Sequence, residues 1–177
     1  MSKTNPKIAL WMLDLTTNTN IRLNNIINQL KIYDIALTSW EPSCPHEYGL
    51  IFFNEKEKLS NIRDFMIMQM RHLGRRVILC YLSALNPLSN DEIFQCYEWG
   101  IDYFFDLNII EKYPDTIPEV INRWYKIDSI RTSHKVSSRI IGKSVALKKL
   151  LRYCIEAILF SEAPVLIIGE RGTGKEM

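Results

Sequence analysis

The stretch Gly169-Glu170-Arg171-Gly172-Thr173-Gly174-Lys175-Glu176 carries the spacing GxxxxGK directly after the apolar run Val165–Ile168. Glycines so spaced let backbone N–H groups converge on phosphate oxygens, and the lysine reaches the terminal phosphates. The chemistry is nucleotide binding, and a strand flowing straight into the loop is the context it needs. Glu176 stands where a serine or threonine usually holds magnesium. Polar residues also punctuate the ends of apolar runs upstream: Asp14 after Ile8–Leu13, Asn54 after Gly49–Phe53 and Ser83 after Val77–Leu82. An open parallel sheet would gather such residues at one edge, where these folds keep their chemistry.

The elements needed to do so are legible. Ile8–Leu13 reads as a strand, and Asn20–Lys31 places Leu23, Ile26, Ile27 and Leu30 on one helical face. Ile35–Trp40 and Gly49–Phe53 read as the second and third strands. Leu59–His72 has helical period through Ile62, Phe65, Met66, Gln69 and Leu73, with Ser60 as expected cap and Gly74 as stop. Val77–Leu82 is the fourth strand, Asn90–Trp99 a short helix ended by Gly100, and Asp102–Phe105 the fifth strand. Pro118–Ser129 closes the unit with Val120, Ile121, Trp124 and Ile127 on one stripe. Strand and helix alternating in this way predict an α/β fold, a doubly wound five-stranded parallel sheet. The segment Glu41–Tyr48 carries two prolines and has no room for an ordinary second helix, which is expected to be short or missing.

The 177 residues correspond to about one ordinary domain. A formal charge of +2 from 22 basic and 20 acidic residues excludes a nucleic-acid-coating protein and an acidic disordered tail. Apolar residues at 47% suffice for a core. The longest apolar runs are six residues, against roughly 20 for a membrane span, so a soluble, cytoplasmic protein is expected. Cys44, Cys80, Cys96 and Cys154 show no CxxC pairing and read as reduced thiols, and no metal site is expected. The segment Arg131–Arg152 contains Arg131, Lys135, Arg139, Lys143, Lys148, Lys149 and Arg152 without an acid. It reads as a solvated linker and helix face, in preference to a DNA-tracking surface. Ser144 precedes a helix with Leu147, Leu150, Leu151, Cys154, Ile155 and Ile158 on one face, followed by the buried-strand run Val165–Ile168. The expected division is 1–130, a linker at 131–141, and 142–177.

The phosphate loop and the segment before it, IIGKSVALKKLLRYCIEAILFSEAPVLIIGE (Ile140–Glu170), resemble the start of the AAA+ ATPase domain of sigma-54-dependent transcription activators, the bacterial enhancer-binding proteins. That family's loop commonly reads GESGTGKE; Arg171 replaces the serine. The resemblance implies that Gly169 to Glu176 contact ATP, with magnesium, in the intact protein. It also implies that the catalytic acids, the arginine finger, the sigma-54 RNA polymerase contact and a DNA-binding helix-turn-helix lie beyond Met177. A truncated piece that neither hydrolyses ATP nor holds a cofactor tightly is therefore expected.

Members of that family often begin with a receiver domain, and residues 7–130 resemble one. A receiver uses an aspartate on its third strand as phosphoryl acceptor, acids after the first strand for magnesium, a hydroxyl after the fourth and a lysine after the fifth. Here the resemblance places Asp14, Asn54, Ser83 and Leu107 at those positions. A neutral amide at 54 is a poor nucleophile, so a degenerate, phosphorylation-independent receiver is expected. Its function is expected to be regulation and assembly: a dimer, and a higher oligomer in the full-length protein. The stripe Val120, Ile121, Trp124 and Ile127 would pair in a coiled coil, pack on its own sheet, or do both. Two alternatives are a working phosphotransfer receiver of a two-component system, with Glu55 as the only nearby substitute carboxylate, and a cyclic di-GMP-responsive regulator.

Overall fold

The computed structural model describes residues 8–17, 21–70, 73–162 and 164–170. Five strands, β1 (Ile8–Asp14), β2 (Ile35–Ser39), β3 (Tyr48–Phe53), β4 (Arg76–Tyr81) and β5 (Tyr103–Asp106), form one sheet in the order β2-β1-β3-β4-β5. Every pair is parallel. This is the flavodoxin-like order, with its switch point between β1 and β3. Every residue of β3 and β4 is buried, which is why Leu50–Phe53 and Val77–Tyr81 read as unbroken apolar runs instead of alternating; Arg76, which opens β4, is the charged exception.

Helices α1 (Ile21–Ile32), α2 (Leu59–Phe65), α3 (Asn90–Glu98), α4 (Leu107–Lys112) and α5 (Thr116–Arg131) connect or follow the strands. Leu23, Ile26 and Leu30 are the buried face of α1. Ser89 caps α3 in a reciprocal capping box with Glu92. Gly74 and Gly100 both have positive φ, +59° and +100°, and so end their helices as expected. Ser60 does not cap the helix after β3. A 3₁₀ turn at Lys56–Lys58 precedes α2, Lys58 holds the cap position without a side-chain bond, and Ser60 donates back to the Glu57 carbonyl. From Met66 to Met70 the helix widens into a π turn that buries Met66 and Met70. The periodic reading missed α4, which is one short amphipathic turn and a half.

Between β2 and β3 there is no helix. Aromatic side chains stand there instead. Trp11 and Trp40 meet edge to face at 5.0 Å, and Phe65 packs against both, at 5.9 and 5.3 Å. Arg75 lies over the Trp40 ring at 5.0 Å and donates to the Cys44 carbonyl, so one guanidinium ties the 41–47 segment to the aromatic group. The fully buried Trp11 fits because its partner in register is Gly49. A Cβ at that position would stand 2.0 Å from the indole carbons.

The chain divides into two compact units, 1–121 and 122–177, at a boundary inside α5. In the second unit α5 continues to Arg131, followed by the short α6 (His134–Ser137) and by α7 (Val145–Phe160), capped by Ser144. The expected apolar face of α7 is covered only in part: Ile155 is buried and Leu147, Leu151 and Cys154 are half-buried. Leu150 and Ile158 are 50% and 71% exposed, and Arg152, outside that face, is buried. The physical reason is Asp128, which takes the Arg152 guanidinium. Arg152 therefore leaves the solvated basic face on which it was expected. Val165–Ile168 forms no strand; its residues are exposed and no described strand lies beside them to share hydrogen bonds. Ile121, Trp124 and Ile127 are buried within the chain and Val120 is half-buried, so the first three have no surface to offer a second copy.

Gly49→Ala forces Trp11 out of its rotamer and is expected to destabilise the fold by about 3 kcal/mol in denaturant unfolding. Adding Trp11→Leu should recover part of that loss. Equal stability of Gly49→Ala and the parent would contradict this packing.

Candidate functional site

The parallel register delivers the strand ends to one edge. Asp14 pairs with Phe52, Phe53 with Tyr81, and Tyr81 with Asp106. Asp14, Asn54 and Ser83 thus follow one another across β1, β3 and β4. The C-terminal edge holds an open cleft of about 500 Å³ lined by Thr17, Ile21, Arg22, Asn54 and Leu82–Leu85. Of the four residues expected here, Asn54 and Ser83 line it. Asp14 is exposed beside it, and its Oδ1 accepts from the backbone N–H and hydroxyl of Thr16 at 2.9 and 2.7 Å, an Asx turn within its own loop. Leu107 is in the core at 2% exposure, as the first residue of α4. Asp106 caps that helix by accepting from the Ile109 N–H at 2.8 Å.

Asn54 is held at two points. Its Oδ1 accepts from the Thr17 N–H at 3.1 Å, and its Nδ2 donates to the Thr17 carbonyl at 3.2 Å. A donor and an acceptor on adjacent atoms are what an amide has and a carboxylate lacks. The Thr17 hydroxyl has a single proton and two acceptors within reach, Glu55 Oε1 at 2.6 Å and Asn54 Oδ1 at 3.3 Å. The shorter contact, to a charged acceptor, takes it. Glu55 is thereby engaged with Thr17, leaving it poorly placed to stand in as a nucleophile.

The charges around the cleft are of both signs. Arg22, in the first turn of α1, reaches the Leu82 carbonyl at 3.5 Å and Glu111 at 3.7 Å. Lys56 pairs with Glu92 at 3.0 Å. The Ser89 backbone N–H, followed by the Lys56 ammonium, holds the Glu92 carboxyl below the usual range. A magnesium ion prefers carboxylate oxygens converging on one point. Asp14 turned into its own loop, a neutral and doubly bonded Asn54 and the cationic Arg22 do not supply them. These residues do not fit the magnesium chemistry that the resemblance to a receiver implies.

Among the described residues no group of three or more His, Cys, Asp or Glu is gathered where a metal could sit. Cys80 and Cys96 are buried, and burial raises both thiols, Cys96 to about 11. They stay protonated at neutral pH. Of the phosphate loop, Gly169 and Glu170 are described, without regular structure. Arg171, Gly172, Thr173, Gly174, Lys175 and Glu176 lie outside the described residues. No helix among the described residues is long and apolar enough to cross a membrane. In comparison with known proteins, no family model matches the chain and no curated protein matches it in sequence.

Sequence reasoning missed Thr17 and Arg22. Thr17 had a signal, since it lies in the loop leaving the first strand at the functional edge. Arg22 had none, because its pairing to the ends of β4 and α4 spans 60 or more residues.

Asn54→Asp places a carboxylate oxygen against the Thr17 carbonyl and loses the Nδ2 bond. It is expected to destabilise the fold by about 1–3 kcal/mol at neutral pH, with the loss shrinking as the new acid is protonated. Urea unfolding at neutral and acidic pH measures it. An unchanged or raised midpoint at neutral pH would overturn the clamp.

Proposed function

We propose that residues 1–130 are a phosphorylation-independent, receiver-like regulatory module of a sigma-54-dependent transcription activator, and that residues 142–177 begin its AAA+ ATPase domain. The observation that carries the first half is Asn54. It follows the central strand of a flavodoxin-like sheet with its amide committed to Thr17, and the receiver resemblance assigns that position to the phosphoaccepting aspartate. The second half rests on Gly169 to Glu176 and the resemblance of Ile140–Glu170 to that family.

In this reading Gly169, Gly172, Thr173, Gly174 and Lys175 cradle ATP phosphates with magnesium in the intact cytoplasmic protein. Sigma-54 RNA polymerase and promoter DNA are engaged by regions beyond Met177. Self-association, in a dimer or a higher oligomer, uses surfaces other than Ile121, Trp124 and Ile127, which are buried. The module then acts through contacts with its own ATPase domain or with a partner, in place of phosphotransfer.

Incubation with acetyl phosphate and magnesium, followed by intact mass measurement, tests the regulatory half. The expected spectrum is unchanged. Gain of one phosphoryl group would support the two-component phosphotransfer alternative and remove this reading.

A further inference from the structure

Within the second unit, α5 and α7 are joined by charged groups where apolar ones would serve. Asp128 is 7% and Arg152 3% exposed. Arg152 donates from Nε to Oδ1 at 2.9 Å and from Nη2 to Oδ2 at 2.6 Å, and Arg131 Nε donates to the same Oδ1 at 2.6 Å. Two guanidinium groups thus share one carboxylate, one of them in a fork geometry that a shifted register would break. The neighbouring contacts run antiparallel to this centre. Arg123 pairs with Glu156 at 2.9 Å, and Arg123 and Lys126 lie over the Phe160 ring at 4.4 and 5.5 Å.

Taking such charges out of water costs about as much as their attraction returns, so an apolar contact of the same volume would hold two helices as well or better. What the ion cluster adds is a unique register, together with an opened state in which each group is hydrated. The rest of α7 is consistent with easy opening. Arg152 and Ile155 are its buried residues, while Leu150, Tyr153 and Ile158 are 50%, 68% and 71% exposed.

We propose that Asp128, Arg131 and Arg152 form a releasable latch, which docks α7 on α5 in one register and lets it detach as a unit while the sheet stays folded. Whatever follows Phe160 is then carried by a helix with a docked and a free state. A partner that offers a carboxylate to Arg152, or a cation to Asp128, shifts the balance between them. The latch is a property of residues 122–160 and does not depend on the regulatory reading of the sheet unit.

Native-state amide hydrogen exchange on the whole chain tests it. The α7 amides are expected to exchange through one shared opening, at lower denaturant than β3 and β4. Arg152→Met removes the fork that joins the two helices and Asp128→Asn leaves both guanidinium groups without their carboxylate, so each should speed α7 exchange by about 100-fold and leave β3 and β4 unchanged. The reversed pair Asp128→Arg/Arg152→Asp keeps one carboxylate between two guanidinium groups and should restore most of the protection. Exchange of α7 only together with β3 and β4, in the parent or in any variant, would overturn the latch. So would single variants without effect, or a reversed pair that fails to recover while the sheet stays protected.

Discussion

All five strands run in one direction, and the rest of the sheet unit depends on that constraint. Parallel strands require crossovers over the faces, so both sides of β3 and β4 are buried and, Arg76 at the start of β4 apart, their residues are almost all apolar. The same constraint puts every strand end that could carry chemistry on a single edge. Asp14, Asn54 and Ser83 come together there although they are spread over 70 residues of chain. The edge is occupied by a neutral amide bonded to backbone, an acid folded into its own turn, and an arginine from α1. That set holds loops in place through hydrogen bonds to backbone.

The missing helix between β2 and β3 shows how local chemistry was adjusted to keep the sheet covered. Proline-bearing Glu41–Tyr48 cannot coil over it. Trp11, Trp40 and Phe65 supply large edge-to-face apolar surface instead, and Arg75 closes the group with its guanidinium over Trp40. The bulk of Trp11 then dictates the residue on the neighbouring strand. Gly49, inside a central strand where glycine is otherwise unfavourable, is there because an indole lies against it. One absent element thus sets residue types on β1, β3 and the ends of three segments.

Much of this was legible in the residues themselves. Apolar runs bounded by polar residues placed all five strands to within a residue or two, and the two positive-φ glycines marked helix ends. The proline pair announced the missing helix. What could not be read were pairings between distant segments. Nothing in the basic run around Arg152 signals that Asp128, 24 residues earlier, would bury it. Nor does the stripe Val120, Ile121, Trp124 and Ile127 say which surface covers it, because an apolar face packs equally well on its own chain or on another. The run Val165–Ile168 shows the limit of local pattern most plainly: a strand needs a neighbour, and its sequence names none.

The central claim is that the amide of Asn54 is a structural clamp and that the strand edge does not accept a phosphoryl group. Nuclear magnetic resonance of the Asn54 side-chain amide in ¹⁵N-labelled protein addresses both parts together. The Nδ2 proton bonded to the Thr17 carbonyl is expected to be protected from solvent exchange. The Asn54 and Thr17 signals are expected not to move when acetyl phosphate and magnesium are added. A freely exchanging amide, or shifts at those two residues on addition, would contradict the claim.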